Sequence, residues 1–184
     1  MNTLLSLFLI VLSSFSFVAH VDYSRKDIPL YKHKYSSQPF CTARIINADR
    51  DSIETVTIDK KSKSRYHVTI SILAYNSNTC DYDSIVDSYN GWIDRMDCGI
   101  FLATNCARGD HDSRGVLLYD FPNFNSKCVW INEEEMESID YAPLLDFIID
   151  EKGDEWCKVR INLINGNYFE GWTTCICRNL LGCE

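Results

Sequence analysis

The chain has 184 residues, of which 46% are apolar, enough for one ordinary domain with a real core. Its formal net charge is −8, from 26 Asp and Glu against 18 Lys and Arg. That balance argues against a general nucleic-acid binder, which needs a basic surface.

Charge is unevenly spread. Residues 22–66 hold ten Lys and Arg against six acids, and residues 133–155 hold ten acids and one lysine. The acidic run reads as a solvated helix face; a patch for a basic partner is the sharper alternative.

After Met1-Asn2-Thr3 the chain turns apolar. Leu4 to Ala19 is interrupted only by serine. It falls short of the roughly 20 residues of a membrane-spanning helix and suits the core of a secretory signal, about 7–15 residues followed by a small-residue cleavage site. Ser14-Phe15-Ser16 places small residues at −3 and −1, and cleavage after Ala19 is the other candidate. The expected organisation is a signal peptide over 1–19, an extended polar lead-in over 20–40, and a single cysteine-rich β domain over 41–184. No later stretch has the length and apolarity of a membrane span, so the mature chain is expected to be secreted and extracellular.

Next in order come β signals. Ile53–Ile58 is β-branched, and Tyr66–Tyr75 alternates with Tyr66, Val68, Ile70, Ile72 and Ala74 on one face. With the polar turn 59–64 between them, 52–75 reads as a hairpin. Shorter strands are predicted at Ile100–Thr104, Gly115–Phe121 and Lys127–Ile131. A helix is predicted near 142–152: Pro143 suits a first helical position, Gly153 a C-cap, and Leu144, Leu145, Ile148 and Ile149 form a stripe. A final hairpin turns at Asn165-Gly166, a pair that tolerates positive φ. A two-residue loop there pairs Val159 with Trp172 and Leu163 with Tyr168. The fold class expected is mainly β (α+β): antiparallel, sandwich-like and disulfide-stapled, with one helix.

All nine cysteines follow the apolar leader: Cys41, Cys80, Cys98, Cys106, Cys128, Cys157, Cys175, Cys177 and Cys183. In an oxidising compartment they read as a disulfide framework with one cysteine over, which offers a disulfide-linked dimer. Cys175 and Cys177 share one strand face and would serve different partners. The spacing is not that of a zinc site, and neither a metal nor a cofactor is expected. The tail Cys175-Ile-Cys177-Arg-Asn-Leu-Leu-Gly-Cys183-Glu184 resembles the endings of small secreted cysteine-rich modules, including the three-finger family, with Cys-x-Cys where those have adjacent cysteines. The resemblance covers ten residues and carries no function.

Two features suggest binding. Arg108-Gly109-Asp110, in a polar stretch after Cys106, resembles the integrin-recognition tripeptide, in which a flexible glycine splays a cation from a carboxylate. Tyr75, Tyr82, Tyr89 and Trp92 surround Asn90-Gly91, read as a turn, and such aromatics anchor recognition surfaces. Tyr89 and Trp92 are therefore binding candidates alongside the tripeptide. Asp110-His111-Asp112 reads as a solvated loop. The nucleophile-elbow, zinc-protease and phosphate-loop motifs are absent, so no catalytic residue is assigned. The function expected is a secreted, non-catalytic protein engaging an extracellular receptor, cytokine or matrix protein. A secreted enzyme and a cell-adhesion ligand are the alternatives.

Overall fold

The computed structural model of the chain describes residues 16–21, 27–45, 52–79, 81–104, 114–138 and 141–177. Its strands in chain order are β1 (Phe17–Val21), β2 (Asp27–Leu30), β3 (Cys41–Arg44), β4 (Ser52–Lys61), β5 (Arg65–Asn76), β6 (Asp81–Asp94), β7 (Cys98–Leu102), β8 (Gly115–Tyr119), β9 (Cys128–Asn132), β10 (Ala142–Ile149), β11 (Glu155–Asn162), β12 (Tyr168–Thr173) and β13 (Ile176–Cys177). Short 3-10 turns occupy Arg95–Asp97 and Glu133–Glu135. Every pairing is antiparallel.

The predicted β4–β5 hairpin forms. Alternation buries Tyr66, Val68, Ile70 and Ile72 from one face of β5, as a period of two requires. Ser62 closes the turn: its main-chain N–H donates to Arg65 O, and its hydroxyl accepts from Arg65 N. The three shorter predicted strands correspond to β7, β8 and β9. The 20–40 stretch is less polar in role than expected. Its β2 pairs with β3 and buries Ile28 and Leu30 completely.

The predicted helix near 142–152 is absent: those residues form β10, followed by a turn. The physical reason is a bulge. The pairing with β11 shifts between Leu144 and Asp146, so the buried positions run Ala142, Leu144, Phe147. One extra residue in a strand breaks strict alternation and leaves a spacing that imitates a helical stripe. Gly153 takes its positive φ of 86° in the β10–β11 turn, not at a helix end. The acids of 133–155 are therefore not a helix face. Asp146 pairs with Lys61 at 2.8 Å, and Asp150 accepts hydrogen bonds from Lys152 N, Asp154 N and Trp156 Nε1 in the turn.

The last hairpin forms with its register moved by one. Val159 faces Gly171, Lys158 faces Trp172 and Asn162 faces Tyr168. Leu163 N donates to Asn167 O, so the loop is the three residues 164–166, with Gly166 at φ 81°. A one-residue slip exchanges the faces of a strand. Trp172 thus shares the outer face with Lys158, while Gly171 and Thr173 are buried.

Asn90-Gly91 is not a turn either. It lies inside β6, opposite Thr69 and Val68. Glycine suits that place because β2 and its neighbours pack close: a Cβ on Gly91 would stand 3.1 Å from both Leu30 Cδ2 and Phe40 Cε1.

One path of strands runs β6-β5-β4-β1-β7-β10-β11-β12-β8-β9, with β13 also on β7. Two strands divide their length between partners. Residues 17–19 of β1 pair with β4 and residues 20–21 with β7. Residues 142–143 of β10 pair with β7 and residues 144–149 with β11. Side chains join the two arms across these divides. Phe17 stacks on Phe147, Tyr66 Oη donates to Leu144 O at 3.2 Å, and Arg95 donates to Leu145 O and Ser62 O.

No disulfide joins two described cysteines, and Cys41, Cys98 and Cys128 carry thiols. Cys80, Cys106 and Cys183 lie outside the described residues. No helix among the described residues is long and apolar enough to cross a membrane.

Candidate functional site

The predicted site residues do not gather. Arg108, Gly109 and Asp110 lie outside the described residues. Tyr89 and Trp92 sit three apart on β6, on opposite faces. Trp92 meets His67 edge-on, with centroids 5.2 Å apart, and exchanges main-chain hydrogen bonds with Tyr31. Tyr89 Oη donates to Asp87 Oδ2 at 2.6 Å, and this bond holds its phenol above the usual pKa. Tyr75 and Tyr82 contact each other at the far end of the β5–β6 hairpin.

A different set of aromatics lines an open depression of about 620 Å³ at the tip of the last hairpin. Trp130 comes from β9, Tyr168 and Phe169 from β12, Asn165 and Asn167 from the loop, and Glu135 from the second 3-10 turn. Small residues make the space. A Cβ on Gly115 of β8 would stand 2.6 Å from Trp130 Cζ2, so only glycine admits the indole.

The depression is held from beneath. The Asn132 side chain accepts from Glu134 N, and the Glu135 carboxylate accepts from Asn132 N, a reciprocal cap. Ile164 N donates to Glu135 O at 3.0 Å, and Glu137 N donates to Asn162 O at 2.9 Å. Buried Met136 and Leu163 form a bridge between the two segments. Within the loop, Asn167 N donates to Asn165 Oδ1 and Gly166 N to Leu163 O. The incoming side of the loop, residues 162–164, is therefore fixed to the turn by main-chain bonds.

Above this base the apolar surface is open. Ile164 is 70% exposed, Tyr168 58% and Phe169 40%. Arg160 supports Tyr168. Its Nε and Nη2 both donate to Glu170 Oε1, at 2.9 and 2.7 Å, and its guanidinium lies 4.7 Å from the Tyr168 ring centroid, within cation–π range.

Other depressions among the described residues are smaller. One of about 140 Å³ is lined by Ser16, Val18, His20 and Glu155 among others, and one of about 280 Å³ by Lys61 and Phe147 among others. Both fall below the roughly 300–1,000 Å³ of small-molecule sites.

Groups with displaced titration lie elsewhere. Burial lowers His20 to about 4, leaving a neutral ring against Phe101. Burial raises the Tyr66 phenol, partly opposed by Arg95. Burial also raises the Cys98 thiol, with Asp97 and Cys157 adding to it. Desolvation would raise Asp150, but its three hydrogen bonds outweigh that and hold it below the usual carboxylate value. These shifts follow from packing and turn closure.

The tip site was missed because exposure of β12 depends on register. Its one sequence signal is the run Asn167-Tyr-Phe-Glu-Gly-Trp172, dense in aromatics just past a turn. Fold and site together define a mainly antiparallel β protein with an aromatic depression on a braced hairpin tip. No family model, curated protein or solved structure matches the chain.

Proposed function

We propose that this chain is a secreted, non-catalytic protein that binds an extracellular protein partner through the depression at the β11–β12 tip. The observation that carries the reading is the exposure of Tyr168 and Phe169 at the start of β12, beside Trp130 and next to a loop held to the second 3-10 turn by main-chain bonds. Tyr and Trp in pre-organised apolar sites dominate binding energy at protein interfaces. The polar groups there suit hydrogen bonding and not proton transfer: two amides and a carboxylate already engaged in a cap. The apolar leader Leu4–Phe15 supports secretion. The finer architecture we propose is a sandwich stapled by disulfides. Its support is the division of β1 and β10 between partners, the Phe17–Phe147 contact across the arms, and nine cysteines in a chain read as secreted.

The test is capture. Secreted protein is immobilised and offered a library of extracellular ectodomains, beside a Tyr168→Ala/Phe169→Ala double variant. Neither side chain belongs to the buried core, Tyr168 being 58% and Phe169 40% exposed, so the variant is expected to fold. A partner held by the native protein and lost by the variant supports the site. A partner held equally by both contradicts it.

A further inference from the structure

The strand β1 locates the end of the leader. We infer that the precursor is cleaved between Ser16 and Phe17, and not after Ala19, so that the mature chain begins with Phe17 as the first residue of a central strand. This rests on the secretory reading above and makes it specific to one bond.

Two independent observations point to that bond. The first is structural. Phe17, Ala19 and Val21 are buried, at 3%, 0% and 0% exposure. Phe17, Val18 and Ala19 are opposite Ile58, Thr57 and Val56, and these are all the residues through which β1 pairs with β4. Only His20 and Val21 pair with β7. In the strand order β1 stands between β4 and β7. Cutting after Ala19 would delete the whole β1–β4 ladder, remove the Phe17 ring from its stack on Phe147 at 4.3 Å, and leave two residues in place of a strand. Cutting after Ser16 leaves every one of these contacts. Ser16 itself is exposed and precedes the strand.

The second is chemical. Leader peptidases accept small residues at −3 and −1 of the bond they cut. A cut after Ser16 presents Ser14 and Ser16 there. A cut after Ala19 presents Phe17 at −3, a bulky aromatic in a pocket that takes small side chains. The leader left by the first cut, 16 residues, meets the lower bound of about 15 for such segments.

The step is hydrolysis by a leader peptidase of the secretory membrane. Water adds hydroxyl to the Ser16 carbonyl carbon and a proton to the Phe17 nitrogen. The C–N bond breaks, giving a carboxylate on Ser16 and an α-ammonium on Phe17.

The full chain, tagged at its C-terminus, is expressed in a secreting cell, and the protein from the medium is characterised by N-terminal sequencing and intact mass. The expected sequence is Phe-Val-Ala-His-Val. A start at His20, lighter by Phe-Val-Ala, overturns the inference, as does any other start. A chain retained in the cell with Met1 in place overturns the secretory reading instead, so the two failures are distinguishable. A Ser16→Arg variant, which places a bulky cation at −1, is expected to block processing. Secretion of that variant with an N-terminus at His20 would also overturn the inference.

Discussion

The rings of Phe17 and Phe147 lie stacked, with centroids 4.3 Å apart and planes at 21°. One belongs to β1 and the other to the bulged strand β10, so the contact joins the two arms of the strand path. Truncating a buried aromatic costs about 3–5 kcal/mol. Phe17→Ala is therefore expected to lose about that much in urea unfolding. Val18→Ala, at a position 53% exposed on the same strand, is expected to lose less than about 1 kcal/mol. Equal losses would show that β1 is not in the core.

Acid should weaken the fold through His20. Its folded pKa is depressed to about 4 by burial, below the unfolded value of about 6.5. The unfolded state therefore binds more protons between those values, and stability falls as pH drops from about 6.5 to 4. The loss approaches about 3 kcal/mol at one pKa unit per 1.36 kcal/mol. Above pH 6.5 the group contributes no slope. Urea midpoints measured at pH 7 and pH 4.5 should differ in the native protein and converge in His20→Phe, once other titrating groups are matched by subtraction. An unchanged difference would remove His20 as the cause.

Two glycines should respond unequally to a methyl group. At Gly115 a Cβ would meet Ile131 O at 2.3 Å and the Trp130 ring at 2.6 Å. Backbone cannot yield, so Gly115→Ala is expected to cost about 1–3 kcal/mol or more. At Gly91 the nearest atoms are side-chain ends of Leu30 and of Phe40, the latter 55% exposed, and Gly91→Ala should cost less. Thermal unfolding of both variants checks the order.

Cysteine reactivity should divide by burial. Cys128 is exposed on the strand β9, and Cys98 is fully buried with its thiol pKa raised. Since the thiolate is the nucleophile, brief alkylation of the native protein near pH 8 should modify Cys128 and spare Cys98. Peptide mass mapping reads the result; rapid labelling of Cys98 would contradict its placement.

The sequence made some parts of this fold legible and hid others for identifiable reasons. The β4–β5 hairpin was readable because one face is buried and alternation is unbroken from Tyr66 to Ile72. β10 was hidden because its bulge turns a spacing of two into a spacing of three between Leu144 and Phe147. Asn-Gly marked a turn correctly at 165–166 and wrongly at 90–91. At the second place the glycine answers close packing from Leu30 and Phe40, and no local pattern distinguishes the two uses. The hairpin itself was found, but its loop has three residues and not two. That single residue sends Trp172 outward and leaves Tyr168 and Phe169 open at the tip. The candidate site was thus hidden by register, which depends on the loop's docking to the turn at Glu133–Glu135.

The hairpin-tip aromatics are proposed to hold an extracellular partner. The most direct test is the affinity of that partner, once captured, for the native protein, for Phe169→Ala, and for Ile85→Ala, which alters an exposed side chain on β6 at the other end of the strand path. A hot-spot residue contributes about 2 kcal/mol or more, a factor of about thirty in Kd. The expected result is a loss of about that size for Phe169→Ala and no change for Ile85→Ala. Unchanged affinity in Phe169→Ala, or an equal loss in both, would contradict the account.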